Sequence, residues 1–137
     1  MSVTLKWNSD NGSYLSKAYS ADAGYDLVFG NDVTVRYMVG IIDTDLRVQL
    51  PEGYVGLLLP RSSTFIKGLH IIPGVIDAGY CGYLKIQYEC WVDSLTIPAN
   101  SAIAQLVVLP LPIVELAHVN SFDLTERGTN GLGSTIK

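Results

Sequence analysis

Cysteine, basic residues and long apolar runs are what this chain is short of, and each shortage removes a class of function. Its two cysteines, Cys81 and Cys90, are too few for a disulfide framework or a structural zinc site, which needs about four Cys or His ligands at set spacings. Both are expected as reduced thiols in a cytoplasmic protein. Only nine Lys and Arg stand against thirteen Asp and Glu, for a net charge of -4. Neutralising a run of nucleic-acid phosphates takes clustered cations, so a nucleic-acid partner is disfavoured, although a single nucleotide is not. No stretch approaches the roughly 20 apolar residues of a membrane span, and MSVTLKWNSD holds no basic segment followed by an apolar run. Neither secretion nor a membrane is expected. Internal repeats, low-complexity tracts and linkers are missing too.

What is present is a core-forming composition. A hydrophobic fraction of 48% with 16% charged residues over 137 positions describes one compact unit that buries roughly two-thirds of its unfolded surface. Val3, Leu5 and Trp7 alternate with Thr4 and Lys6, the period of a half-buried strand. Similar short runs at residues 25–29, 32–35, 41–49, 54–59, 74–77, 83–91, 95–97, 102–109 and 113–116 alternate with turn-forming residues. That spacing predicts an all-β sandwich or barrel. Residues 64–68 could form a single helical turn, the one short helix expected. The last eleven residues, RGTNGLGSTIK, hold three glycines and few core formers, so a mobile tail is expected unless something binds it.

Five stretches carry chemistry that a purely structural β-domain does not need: residues 23–27 (AGYDL), 60–63 (PRSS), 74–87 (GVIDAGYCGYLKIQ), 103–106 (IAQL) and the tail. In the third, Asp77 stands in an apolar run, where a carboxylate is costly to bury unless it is paired or used; an ordinary hairpin with an acid at its mouth is the competing reading. PRSS places the Arg61 guanidinium and the Ser62 and Ser63 hydroxyls after a strand and before a turn, where backbone N–H groups are free to face an anion. A routine surface turn has the same composition. Arg127, Ser134 and Thr135, among the tail glycines, form a second group of the same kind. Two phosphate-friendly groups suggest a polyphosphate, yet no strand is followed by a Walker-type Gly-Lys-Ser/Thr ending. Gln105 either serves a site or bonds to backbone, and Asp26 either caps a turn or supports a site.

In this order and spacing the five stretches resemble the five motifs of the trimeric dUTP pyrophosphatases, the dUTPase family, from Ala23 to Thr135. The resemblance implies a distorted jelly-roll-like barrel of the β-clip type over residues 1–126, with a flexible glycine-rich lid at 127–137. It also implies a homotrimer whose active sites draw on three subunits. The reaction implied is hydrolysis of dUTP to dUMP and pyrophosphate by water attacking the α-phosphorus, with Asp77 as general base and Asp26 supporting the catalytic water. Mg²⁺ would be held mainly by the substrate phosphates and waters, with Asp26 in its outer shell. The phosphate chain falls to Arg61, Ser62, Ser63 and Gln105, and the γ-phosphate to Arg127, Ser134 and Thr135. Tyr80 would pack on the deoxyribose and exclude a 2′-hydroxyl, while Gly74, Val75, Ile76, Gly82, Tyr83 and Lys85 surround the nucleoside, reading uracil largely with backbone groups.

Three positions depart from the family pattern. Leu132 replaces the usual Phe that stacks on uracil, Cys81 replaces a common Arg, and Ile136 a usual Gly. A dCTP deaminase is the nearest enzymatic rival, but that family carries a Glu as proton shuttle where this chain has Gln87, and an amide cannot shuttle the proton. A nucleotide-sensing regulatory protein with a protein partner is the rival from another class. Intact Asp77, Arg61 and Arg127 favour an enzyme.

Overall fold

A computed structural model describes residues 2–64, 67–131 and 133. Among them nine strands are formed: β1 (Lys6–Ser9), β2 (Tyr14–Ser16), β3 (Gly24–Val28), β4 (Val33–Gln49), β5 (Tyr54–Pro60), β6 (Leu69–Ile72), β7 (Gly74–Ile76), β8 (Tyr83–Ile97) and β9 (Ala102–Pro110). They make two antiparallel sheets, ordered β1-β4-β8-β6 and β2-β3-β9-β5-β7. Alternation aims one face of each sheet inward: Ile42, Thr44, Leu46 and Val48 of β4 and Leu84 and Ile86 of β8 are buried, and they meet Leu27, Leu58 and Leu106 from the other sheet in one core. Truncating a side chain as enclosed as Leu106 to Ala typically costs about 2–5 kcal/mol.

The all-β expectation holds, with changes at particular elements. The runs at 32–35 and 41–49 are one strand, β4, because Gly40 does not break it; the ring of Tyr88 occupies the space a Cβ there would take. The runs at 83–91 and 95–97 likewise join as β8, held through Ser94 and Thr96 by pairing with Arg36 and Thr34. Residues 113–116 form no strand and lie exposed. Of the short helix expected over residues 64–68, Phe65 and Ile66 lie outside the described residues, and among the described ones only Lys67 has 3-10 helical geometry. Around that place the Thr64 N–H donates to the Arg61 carbonyl (3.2 Å) and the Lys67 N–H to the Thr64 carbonyl (3.1 Å). These are successive i→i+3 turns, ended by Gly68 at φ 89°. The Thr64 hydroxyl, buried, donates to the Ile103 carbonyl at 3.1 Å and ties the turn to β9.

One polar cluster fastens the segment after β1 to the long strand. Ser13, 2% exposed, donates its hydroxyl to Asp45 and accepts the Gly30 N–H at 3.0 Å, while Asp45 also takes the Asn11 N–H at 2.6 Å. Partial burial pushes the Asp45 carboxyl up, but the hydrogen bonds from Ser13 and from the Asn11 and Ser13 backbone outweigh it and hold the group below the usual 3.8. A depressed carboxylate stabilises the fold above its unfolded value and loses that contribution as pH falls through the folded one. The urea midpoint of Asp45→Asn should therefore lie below wild type at pH 7, and the gap should close below about pH 3.8. A gap unchanged at pH 3 would remove Asp45 from this role.

Candidate functional site: two half-sites on one chain

Strand pairing brings three of the five stretches together. Asp26 on β3 lies opposite Gln105 on β9, and Gln105 lies opposite Leu59 on β5, which continues through Pro60 into Arg61. Arg61 Nε pairs with Asp26 Oδ1 at 3.0 Å, with both side chains about one-third exposed. Arg61 Nη1 donates to the Ala102 carbonyl at 3.0 Å. A half-exposed pair of this kind adds little stability. Its effect is orientation: two of the five guanidinium donors are spent on the scaffold and the rest remain for a ligand. Gln105 Nε2 donates to the Pro60 carbonyl at 3.1 Å, and a Cβ at Gly24 would run into its Oε1. Arg61, Ser62, Gln105, Asp26 and Gly24, with Ala18, Asp22 and Ala23, line a polar cavity of about 330 Å³. Ser63 is exposed and stands outside this lining.

The hairpin builds a different cavity. Its first arm, β7, pairs with β5 in one sheet (Leu58 opposite Gly74, Gly56 opposite Ile76), whereas its second arm, β8, pairs with β4 in the other. This is not an ordinary hairpin, because its arms part company at the turn. β7 is an edge strand, and β8 has no partner on its second side until Gln87 meets Ile72. Unpaired backbone N–H and C=O groups, which hydrogen-bond whatever is offered, therefore border the slot between the arms. That slot, about 260 Å³, is lined by Gly74, Val75, Ile76, Asp77, Tyr80, Tyr83 and Lys85 together with Leu58 and Leu84. Ile76 itself is buried, so only its backbone is offered there.

The turn is tightly made. The Tyr80 N–H donates to the Asp77 carbonyl (3.1 Å) and the Tyr80 hydroxyl to the Tyr83 carbonyl (2.6 Å). A Cβ at Gly82 would lie 2.6 Å from that hydroxyl, so glycine there is what lets the ring lie across the turn. The Tyr83 hydroxyl donates to Asp10; that hydrogen bond, then burial and the Asp10 charge, push the phenol above its usual 10.0. Lys85 pairs with Asp43 at 3.2 Å. The Asp77 side chain is exposed rather than buried, and among the described residues it has no hydrogen-bond or ion-pair partner. It is a free acceptor at the mouth of the slot.

Of the described tail residues, Arg127 joins neither half. Arg127 sits in an exposed turn, its Nε donating to the Asn130 carbonyl at 2.6 Å. Leu132, Ser134 and Thr135 lie outside the described residues. Among the described residues no group of three or more His, Cys, Asp and Glu stands close enough to cage a metal ion. Motif reading missed Gly24, whose signal is its place beside Asp26, and it missed Asp10, which takes the Tyr83 hydroxyl and for which the sequence holds no local signal.

An all-β domain with a polar cavity around Arg61, Asp22 and Asp26 on one sheet and a backbone-bordered slot at the seam of both defines a class of β-domains with two separate polar surfaces for a ligand. A family model described as dUTPase matches residues 10–136. The deoxyuridine 5'-triphosphate nucleotidohydrolase of Rhodococcus erythropolis is 38% identical, with 98% of this chain and 86% of the relative covered. Among solved structures, the dUTPase of Staphylococcus bacteriophage 80alpha with dUpNHpp has a TM-score of 0.85 at 32% identity, covering 98% of this chain and 99% of that one. A dUTPase from phage phi11 of S. aureus, whose structure details the coordination of a structural Mg(II) ion, has a TM-score of 0.78 at 30% identity, covering 89% and 100%. The chain belongs to the dUTPase family.

Proposed function

We propose that the protein is a dUTP diphosphatase, hydrolysing dUTP to dUMP and pyrophosphate at sites that form only between copies of the chain in a homotrimer. The distance between the half-sites carries the second part. Asp77 follows Ile76, the residue opposite Gly56, whereas Arg61 follows Pro60, the last residue of β5, so the two lie six residue steps apart along the strand direction. At about 3.3 Å per residue that is roughly 20 Å. A general base must come within hydrogen-bond reach of the water it activates, and that water must touch the phosphate that Arg61 and Gln105 bind. One chain cannot bring them together; the slot of one copy must face the polar cavity of another. The apolar side chains of Ile113, Leu116, Phe122 and Leu124, nearly fully exposed, also call for cover by a second copy.

In the assembled site the uracil edge meets the unpaired backbone between β7 and β8, and Tyr80 lies against the deoxyribose. Asp77 accepts a proton from water as its oxygen attacks the α-phosphorus; the bond from that phosphorus to the α,β-bridging oxygen breaks and pyrophosphate leaves. A carboxylate is a weak base towards water, so most of the acceleration comes from holding water and phosphate in line and from the charge of Arg61. The oxygen donors at the polar cavity, Asp26, Gln105 and Ser62, suit Mg²⁺, a hard ion that is usually held by one or two carboxylates plus phosphates and water. When bound, it neutralises phosphate charge. Residues 127–137 close over the γ-phosphate through Arg127, Ser134 and Thr135, in a cytoplasmic enzyme.

Turnover on dUTP beside dCTP, dTTP and UTP tests the reading. Pyrophosphate should appear from dUTP with at least about 100-fold higher kcat/KM than from the others. Ammonia from dCTP, or bound dUTP without pyrophosphate, would favour the deaminase or the sensor instead. A narrower result is expected from Gly24→Ala: its methyl must displace the Gln105 amide, and kcat/KM on dUTP should fall about 10- to 100-fold. Unchanged kinetics would show that Gln105 does not need that placement.

A further inference from the structure

The slot is braced by two charged side chains that belong to none of the five motifs. Asn8 on β1, Arg47 on β4 and Tyr83 on β8 are successive cross-strand partners, so they form a row on one face of the sheet. Arg47 Nε donates to Asn8 Oδ1 at 3.1 Å, and its guanidinium carbon lies 4.9 Å from the centroid of the Tyr83 ring. Arg47 Nη2 is 3.7 Å from Asp10, whose other carboxylate oxygen accepts the Tyr83 hydroxyl. The ring is thus held on its face by a cation and at its tip by an anion.

The backbone around this row is shaped to allow it. Between Asp43 and Arg47, β4 takes four steps where β8 takes two from Lys85 to Tyr83. The bulge is repaired from within: the Thr44 hydroxyl donates to the Leu84 carbonyl at 2.6 Å, and the Asp45 carbonyl accepts the Asp10 N–H at 3.1 Å. Bulges re-aim side chains at the cost of a ladder bond. Here one sets Arg47 and Asp10 on either side of Tyr83. An exposed ion pair at 3.7 Å contributes little to stability, so folding alone does not account for the arrangement. Tyr83, by contrast, lines the slot, and its carbonyl receives the Tyr80 hydroxyl.

We propose that Asp10 and Arg47 are positioning residues for nucleoside selection: through Tyr83 they set both the wall of the base slot and the placement of Tyr80 against the sugar. The inference rests on the proposed seating of the nucleoside between β7 and β8. Its test is a double-mutant cycle on Asp10→Ala and Tyr83→Phe, read by steady-state kinetics on dUTP and UTP and by equilibrium binding of dUpNHpp. Each single variant should raise KM for dUTP and weaken dUpNHpp binding about fivefold, with kcat within about twofold and the preference for dUTP over UTP reduced; the double variant should be no worse than the stronger single one. Arg47→Met should move the same quantities in the same direction. Asp10→Asn, which keeps size and one acceptor oxygen, should recover most of the affinity. Effects that multiply in the double variant, or an unchanged KM and binding constant, would overturn the inference. So would losses that track the thermal midpoint while the dUTP to UTP ratio stays constant. A wild type that binds dUpNHpp without releasing pyrophosphate from dUTP would refute the activity, and the binding arm would still decide the roles of Asp10 and Arg47.

Discussion

Asp77→Asn should lower kcat on dUTP by about 10²–10⁴-fold while leaving the binding of dUpNHpp and the thermal midpoint nearly unchanged. The size follows from the general-base role proposed for the side chain. Asparagine keeps the shape and one acceptor oxygen but cannot take the water's proton, so only the general-base share of the acceleration is lost. The small structural cost follows from what the side chain does not do: it is exposed and, among the described residues, holds no partner whose bond would be broken. A kcat within threefold of wild type would move the base elsewhere, and a fallen midpoint would mark Asp77 as a structural group.

The second large effect is a recovery. Asp77→Asn and Arg61→Ala should each be almost inactive alone, because in the proposed trimer each disables one half of every site. Unfolded together in equal amounts and refolded, they should regain about one-quarter of wild-type activity, since a site drawing Asp77 from one copy and Arg61 from another is intact in one of four random pairings. Two halves roughly 20 Å apart on β5 permit this, whereas a site built within one chain would give none. Arg61→Ala also strips Asp26 of its cation, so its own loss should include weakened phosphate binding, seen as a higher KM. A mixture that stays inactive, with mixed trimers confirmed by mass, would return the whole site to a single chain.

What the sequence disclosed depended on how local the cause was. AGYDL and IAQL could be picked out because each spends a polar group inside an apolar run, and PRSS because it sets a guanidinium and two hydroxyls at the end of one; the five-stranded sheet places Asp26, Arg61 and Gln105 around one cavity. Asp77 stood out for the same reason. The long strands did not, because residues 36–40 and 92–94 fall between the expected runs, and nothing in the local sequence shows that Tyr88 will lie over Gly40 or that pairing with β4 will carry β8 past Asp93. β2 and β6, three and four residues long, are too short to show a period. The parting of the hairpin arms is also invisible from within residues 74–87, since it depends on which strands β7 and β8 find 18 and 40 or so residues away. Asp10 and Arg47 fall in the same group: their meeting with Tyr83 is a property of register, not of motif.

That parting gives the proposed nucleoside slot a mechanical character. A slot cut into one sheet would have its width set by hydrogen bonds of fixed length; this one is a joint between two plates, and its gap follows how the plates rest on each other. Ile76 and Leu84, adjoining the slot on its two sides, both point into the shared core. With the nucleoside seated as proposed, repacking that core, far from any polar group, should reach base selectivity as surely as changing the hairpin itself, and a tight core becomes the gauge by which one pyrimidine is told from another.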